Sequence, residues 1–267
     1  MQKRKLTRTL IPWLPPIALL VVWQISGDLG WYPQRILPTP VSVLKAGYTL
    51  LTSGELARHL AISFQRALLG FLIGGVLGLT LGVWTGASRI AESLIDSTIQ
   101  MLRTIPHLAL IPLVILWFGV GETAKVFLVA LGVLFPVYLN THYGIRSVDP
   151  GLIEMGKVYG LGRWQLFRQI LLPGAMPAIL DGVRFALGVM WQTLIIAETI
   201  AATSGIGYLA MNAREFLRTD IVILSIVLYA LLGKGADSTA RLLEKRFLQW
   251  HHAYASAPPV ALPGETS

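Results

Sequence analysis

The stretch EMGKVYGLGRWQLFRQILLPGAMPAI, residues 154–179, lies between long apolar segments, yet it is rich in charge, glycine and proline. The chain as a whole is 54% hydrophobic and 13% charged, with a mean hydropathy of +0.63. Soluble domains have about 25% charged residues. This composition indicates a membrane protein with several spans, so the polar stretch must lie outside the lipid.

Six apolar segments are long enough, or nearly so, to cross a bilayer, which requires about 20 apolar residues. They are residues 11–26, 60–84, 99–118, 124–143, 179–202 and 221–240. The sequence therefore predicts an all-α polytopic membrane protein with six transmembrane helices. The first segment could instead be a signal peptide, but its prolines and the lack of a small-residue cleavage site favour a retained helix.

The distribution of lysine and arginine predicts the orientation. With the N-terminus inside, thirteen of these cations lie in cytoplasmic segments and five in outer segments. Cytoplasmic loops carry the excess of positive charge. Both termini and the stretch 154–179 are therefore predicted to be cytoplasmic, in a protein of the cytoplasmic (inner) membrane.

Three parts are predicted along the chain. Residues 1–56 form an N-terminal transmembrane helix and an outer loop, in which the weakly amphipathic run 41–51 is predicted to lie at the membrane interface. Residues 57–241 form the main membrane domain. Residues 242–267 form a cytoplasmic tail, which lacks apolar periodicity from Trp250 onward and is predicted to be disordered.

A glycine recurs every fourth residue in the second apolar segment. These glycines share one face of a helix and are Gly70, Gly74, Gly78, Gly82 and Gly86. Small residues at this spacing let two membrane helices approach closely. The stripe predicts a packing face, either within one chain or between two subunits.

The stretch 154–179 is predicted to form two short helices joined by an elbow. Asp149 and Pro150 favour a helix start, and Gly160 and Gly162 are expected to break the helix because glycine tolerates a positive φ. Pro173 is expected to end the second helix. The residues alone leave two interpretations open, an amphipathic hairpin at the membrane surface or a docking surface for a soluble partner.

The same stretch resembles the EAA motif, E-A-A-x3-G-x9-I-x-L-P, of ATP-binding-cassette (ABC) importer permeases. The matching positions are Glu154, Met155, Gly156, Gly160, Ile170, Leu172 and Pro173. Met155 and Gly156 stand where the family has two alanines. The resemblance implies that this loop is a cytoplasmic coupling helix, which docks on a separate ATPase subunit.

The resemblance covers nearly the whole chain. RTIPHLALIPLVILWFGVGETAK, residues 103–125, and VRFALGVMWQTLIIAETIAATSGIGYLAMNAREF, residues 183–216, are similar to the sulfonate, nitrate and taurine branch of the type I permeases, above all to those for aliphatic sulfonates. It implies import of alkanesulfonates, with taurine or nitrate as alternatives. The implied partners are an ATPase that uses ATP and Mg, an external substrate-binding protein, membrane lipid and a second copy of the permease.

The chain itself lacks the motifs of other function classes. It has no G-x4-G-K-[ST] phosphate loop, no H-E-x-x-H and no G-x-S-x-G. It has no cysteine, and its cations are not clustered with aromatic residues as nucleic-acid binding requires. No catalytic residue, metal site, cofactor or nucleic-acid partner is predicted for this chain; an ion channel and an intramembrane enzyme are the alternatives.

Polar side chains inside apolar segments are candidates for the translocation path, since they are costly in lipid. The candidates are Gln100, Arg103, His107 and Gln192. An anionic substrate needs guanidinium or amide donors. Arg103 and Arg184 lie near segment ends, where snorkelling to the interface is the alternative explanation.

A last set of residues lies near the predicted outer side. Glu198 would repel an anion, so it is interpreted as a gate or a partner contact. The loop that follows is a candidate contact for the binding protein, through Gly205, Gly207, Asn212 and Arg214. A re-entrant helix packed on the bundle is the alternative for this loop.

Overall fold

The computed structural model of the protein describes residues 14–248, except for the side chains of His107, Leu108 and Ala201. Across this described part the secondary structure is helical, with no strand. The α-helices are α1 Leu14–Asp28, α2 Pro40–Thr52, α3 Glu55–Ala87, α4 Arg89–Ala91, α5 Ser97–Leu102, α6 Ile111–Phe118, α7 Glu122–Arg146, α8 Pro150–Val158, α9 Arg163–Leu166, α10 Leu172–Ala201, α11 Ile206–Glu215 and α12 Thr219–Phe247. Two π-helical turns, Glu92–Asp96 and Phe167–Leu171, precede α5 and α10.

Four of the six predicted spans are continuous helices that are long and apolar enough to cross a membrane. They are α3, α7, α12 and the helical stretch Arg163–Ile200, which includes α10 up to Ile200. The first predicted span is the shorter apolar helix α1, of 15 residues, and the part of that prediction before residue 14 lies outside the described residues. The all-α polytopic membrane fold is therefore confirmed, while the count of six transmembrane helices is not exactly confirmed by the described residues.

The third predicted span, residues 99–118, is interrupted. Helix α5 ends at Leu102, a 3₁₀ turn covers His107–Leu110, and α6 begins at Ile111. Between them the N–H groups of Thr104 and Ile105 donate to carbonyls three residues earlier. Pro106 accounts for the break, because it has no N–H and disfavours helical backbone in the residue before it.

Pro173 does not end the second cytoplasmic helix, which corrects the prediction. The Leu172 N–H donates to the Phe167 carbonyl across the π turn, and α10 then starts at Leu172. Pro173 thus lies inside a continuous helical stretch, and the π turn just before it accommodates a residue that has no N–H to donate. Near the other end of the chain, α12 continues to Phe247 and so covers the first six residues, 242–247, of the predicted tail. Residues from 249 onward lie outside the described part.

The chain divides into two compact units. The first contains the residues up to Phe64 together with Glu198–Ala230. Helix α2 covers the predicted amphipathic run, and it starts at the Thr39 cap, whose hydroxyl accepts the Ser42 N–H. A buried apolar cluster joins α2, the start of α3, α11 and α12 through Val43, Ala46, Leu50, Leu56, Leu209, Ala213, Ile221 and Leu224.

The second unit contains Gln65–Ala197 and the residues from Leu231 onward. In it all five glycines of the stripe face α7. A Cβ at Gly78 would lie 2.6 Å from the Leu134 carbonyl oxygen, and one at Gly82 would lie 2.6 Å from Thr141 Cβ. A Cβ at Gly74 would overlap the backbone of Ala130. The stripe is thus occupied within one chain, so this face does not serve as the packing face between subunits.

Candidate functional site

The elbow in the cytoplasmic stretch is a Schellman motif at the end of α8. The Gly160 N–H donates to the Lys157 carbonyl, and the Leu161 N–H donates to the Gly156 carbonyl. Gly160 has φ 78°, a left-handed conformation that favours glycine. Gly162 does not share it, contrary to the prediction, because its φ is −65° and it caps the start of α9.

Gly156 is the packing point between the two arms of the elbow. It is buried, and a Cβ there would lie 2.6 Å from Ile170 Cδ1 and 3.2 Å from Leu161 Cδ1. An alanine in its place would push against both side chains. Because these atoms are the ends of flexible side chains, a small shift of Ile170 and Leu161 accommodates an alanine, so the contact does not by itself require glycine at position 156.

The elbow presents an exposed apolar face. Met155 is half exposed, and Val158 and Trp164 are 86% and 70% exposed, with Leu152 and Tyr159 beside them. Glu154 is exposed and takes part in no ion pair among the described residues. Asp149 caps the start of α8, as predicted, because its carboxylate accepts the Gly151 N–H at 2.8 Å. Leu172 packs with Leu171 on the buried cluster of Ile145, Ala175 and Ile179, and Pro173 is half-buried next to it.

The four path candidates do not converge on one site. Gln100 donates to Asp96 Oδ1 at 3.3 Å. Arg103 and Gln192 line two different cavities of the second unit. The side chain of His107 lies outside the described part, so its predicted role stays a prediction.

The cavity that contains Gln192 has a volume of about 420 Å³ and is acidic. Its wall includes Asp181, Arg184 and Asp237. Arg184 Nε donates to Asp237 Oδ1 at 2.8 Å, and Arg241 Nε donates to Asp237 Oδ2 at 3.0 Å. Arg184 therefore ties α10 to α12 through an ion pair, as expected for a structural anchor.

The cavity that contains Arg103 has a volume of about 550 Å³. Its apolar wall includes Phe135, Leu139, Phe185 and Val189, and its polar wall includes Thr104 and Asn140. Arg103 is exposed and forms no ion pair with any described residue. This cavity therefore combines one guanidinium with an apolar surface.

Glu198 is fully buried in the first unit, so it is not a surface contact for a partner, while its interpretation as a gate stays a prediction. Its carboxylate accepts Ser63 Oγ–H at 2.8 Å, the Gly207 N–H at 3.0 Å and Tyr229 Oη–H at 3.1 Å. Burial of a carboxylate is costly unless hydrogen bonds satisfy it, and here several donors converge. Glu198 therefore holds the start of α11 against α3 and α12.

The neighbouring loop residues share this structural role. The Gly205 N–H donates to His59 Nδ1 at 2.9 Å, and Gly205 adopts φ 108° beside the Glu198 carboxylate. Gly205 and Gly207 are buried, which corrects their assignment as partner contacts. Asn212 is half-buried and Arg214 is exposed on α11.

Comparisons with known proteins show the family of this chain. A model of the family described as the binding-protein-dependent transport system inner membrane component matches residues 74–249. The chain belongs to this family. As an inner membrane component of this kind, the chain is a multi-pass membrane permease subunit, and a substrate-binding protein and an ATPase are the partners that the family implies.

Individual relatives are similar over most of their length. A protein of Escherichia coli strain K12 that is named as an aliphatic sulfonates transport permease, SsuC, is 60% identical over 91% of this chain and 92% of its own. TauC, the taurine transport system permease protein of the same strain, is 36% identical over 87% of this chain and 86% of its own. The crystal structure of an amino acid ABC transporter shares the fold, with a TM-score of 0.61 and 19% identity over 77% of this chain and 97% of that one.

Several charged residues pair with one another in the structure but were not predicted from the sequence as site residues. Asp237 was not among the candidates, although it is an acid inside an apolar segment and Arg184 is a base inside another. Glu122 was also missed; its carboxylate accepts hydrogen bonds from Arg66 and Lys125, both of which are buried. An acid and a base in separate spans were the available signal, because charges in lipid are usually paired.

Proposed function

We propose that this chain is the permease subunit of an ABC importer that carries aliphatic sulfonates across the inner membrane. The observation that carries the proposal is the 60% identity to SsuC over nearly the whole of both chains, against 36% for the taurine permease. ATP and Mg are used by a separate ATPase subunit. The permease acts as a homodimer in the lipid bilayer, because a two-fold ATPase dimer offers two equal docking sites.

The exposed apolar face of the elbow is the docking surface for the ATPase. Met155, Val158 and Trp164 expose apolar surface, and contact of such surface with water is unfavourable. The excess of lysine and arginine in the same segments supports a cytoplasmic position for this face and for both termini. The coupling residues in this proposal are Glu154, Met155, Gly156, Gly160, Ile170, Leu172 and Pro173.

Movement of the docked elbow reaches the membrane helices through two connections. Ile170 packs on Gly156, so the two arms move together. The second arm continues through the π turn into α10 without a break in helix. ATP binding that draws two elbows together would therefore favour one arrangement of α10 over another, which is a shift of population between conformations.

The external binding protein contacts the exposed end of α11 in this proposal. Arg214 is exposed, and Phe216 and Leu217 after it are 70% and 78% exposed. Asn212 lies at the margin of this surface. The sequence alternative of a re-entrant helix packed on the bundle is compatible with it, since the other face of α11 carries Leu209 and Ala213 of the buried cluster.

A growth experiment tests the substrate. Deletion of the gene should abolish growth on alkanesulfonates as the sole sulfur source, and the restored gene should return it. Restoration of growth on nitrate as the nitrogen source, or on taurine alone, would assign another substrate. Ion conduction by the purified chain without an ATPase would refute an importer.

A variant of Gly160 tests the coupling. Gly160→Val places a β-branched residue at φ 78°, where such residues are strained, whereas asparagine tolerates this conformation. No atom lies within 4 Å of the added Cβ, so the effect is conformational rather than steric. We expect Gly160→Val to lower ATP-driven uptake at least about tenfold with normal membrane abundance. Gly160→Asn is the matched control and should retain most of the uptake; equal uptake by both variants would contradict the role of the elbow.

A further inference from the structure

Two cavities of the second unit share Phe185 and Val189 of α10 as part of their walls. Each also contains one arginine from an apolar segment. They differ in the charges that accompany this arginine, so they differ in the ligands that they can accept.

The cavity at Arg184 is unsuited to an anion. Two carboxylates, Asp181 and Asp237, line it with the single guanidinium. The Nε of Arg184 is already engaged by Asp237, and its Nη1 lies 3.7 Å from Glu244 Oε1. An entering sulfonate would meet net negative charge and a guanidinium that is already paired.

The cavity at Arg103 has the opposite character. Among the described residues of its wall Arg103 is the sole charged one, and no described carboxylate pairs with it. The Thr104 hydroxyl donates to the Met101 carbonyl at 2.6 Å, and Asn140 Nδ2 donates to the Pro136 carbonyl at 2.9 Å. The guanidinium is therefore the principal donor that remains for an anionic ligand.

We propose that this cavity is a subsite for the alkanesulfonate on its way through the membrane domain, in which Arg103 binds the sulfonate group and the apolar wall takes the alkyl chain. The proposal rests on the proposed function. A planar guanidinium donates two parallel N–H groups, which fit two oxygens of one sulfonate. Phe135 and Leu139 supply apolar surface within the same cavity of about 550 Å³, which is within the range of small-molecule sites.

The uptake experiment uses the complete importer, with ATPase and binding protein, in proteoliposomes. Arg103→Gln should lower the uptake of pentanesulfonate per assembled complex about tenfold, since hydrogen bonds to a charged group contribute a factor of this size. Arg103→Lys keeps the positive charge but loses the two parallel N–H groups, so it should lower uptake by less than Arg103→Gln does. Arg184→Gln is the control, in which the KM for pentanesulfonate should not change.

The outcomes separate this subsite from the proposed function. Absence of pentanesulfonate uptake by the wild type would refute the proposed function and the subsite with it. Uptake by the wild type with equal uptake by Arg103→Gln would refute the subsite alone. Equal losses in Arg103→Gln and Arg103→Lys would also refute it, because the positive charge that lysine retains would then contribute nothing to uptake.

A second measurement on the wild-type complex avoids dependence on the folding of variants. Hydroxyphenylglyoxal modifies accessible arginines, and mass spectrometry locates the modified residues. Pentanesulfonate should slow the modification of Arg103 several-fold, whereas pentanol should not, and the rate at Arg58, outside the cavity, should be unchanged. The subsite is refuted if pentanesulfonate leaves the rate at Arg103 unaltered.

Discussion

Glu198 in the first unit and Arg103 in the second are both charged residues of apolar segments, yet their surroundings differ in kind. Glu198 is fully buried and accepts hydrogen bonds from Ser63, Gly207 and Tyr229. Arg103 is exposed beside a cavity and has no ion-pair partner in the described part of the chain. The charge of Glu198 is therefore satisfied by hydrogen bonds within the protein, while the charge of Arg103 is left to bind a ligand.

This difference separates structural from functional roles. A buried charge that several donors satisfy stabilises one conformation, and its removal leaves those donors without an acceptor. A charge beside an open cavity contributes little to the fold, but it attracts an ion of opposite sign. Substitutions at the two sites should therefore alter different measured quantities.

The substitution Glu198→Ala is expected to have the largest effect, which is a loss of stability. It leaves the Ser63 and Tyr229 hydroxyls and the Gly207 N–H without their acceptor, which should lower the free energy of unfolding by about 3 kcal/mol. Thermal unfolding of the purified protein in detergent, followed by tryptophan fluorescence, measures this change. Glu198→Gln, which keeps an acceptor oxygen, should lose less. An unchanged unfolding temperature in Glu198→Ala together with loss of uptake would instead support a gating role.

An intermediate effect, on anion binding, is expected from Asp237→Asn. This substitution makes the cavity at Arg184 more like the cavity at Arg103. The substitution removes the carboxylate that accepts the hydrogen bond of Arg184. Pentanesulfonate should then protect Arg184 from hydroxyphenylglyoxal, which it should not do in the wild type. Protection of Arg184 to the same extent in both proteins would show that pairing does not decide which arginine binds the anion.

The smallest effect is expected from Tyr229→Phe. This variant removes one donor to Glu198, at 3.1 Å, and leaves those from Ser63 and Gly207. The free energy of unfolding should fall by about 1 kcal/mol, and the uptake of pentanesulfonate per complex should stay that of the wild type. If Tyr229→Phe lowered the free energy of unfolding as much as Glu198→Ala does, Ser63, Gly207 and Tyr229 would not share the stabilisation of Glu198.

Local features of the fold could be predicted from the sequence. Continuous apolar segments predicted α3, α7, α10 and α12, because length and hydropathy decide which helices can cross lipid. Asp149 and Pro150 predicted the start of α8, and Gly160 its end, since capping depends on a few neighbouring residues. The glycine stripe predicted a packing face, although not which helix would occupy it.

Pairings between distant segments could not be predicted. The contact of Arg184 with Asp237 and the burial of Glu198 depend on which faces of separate helices pack together. Hydropathy does not predict which faces these are. The prediction that Pro173 ends the second helix failed for a similar reason. The residue types before Pro173 do not indicate the π turn that accommodates it. The substrate also came from resemblance, since one unpaired arginine does not distinguish a sulfonate from nitrate.

The most direct measurement compares Arg103→Gln with Glu198→Gln in one experiment. Both variants are assembled with the ATPase and the binding protein, the yield of complex is determined, and pentanesulfonate uptake is expressed per complex. We expect Arg103→Gln to assemble in normal yield with uptake about tenfold lower, and Glu198→Gln to assemble in reduced yield with normal uptake per complex. Reduced uptake per complex in Glu198→Gln with normal uptake in Arg103→Gln would contradict the division between paired and unpaired charges.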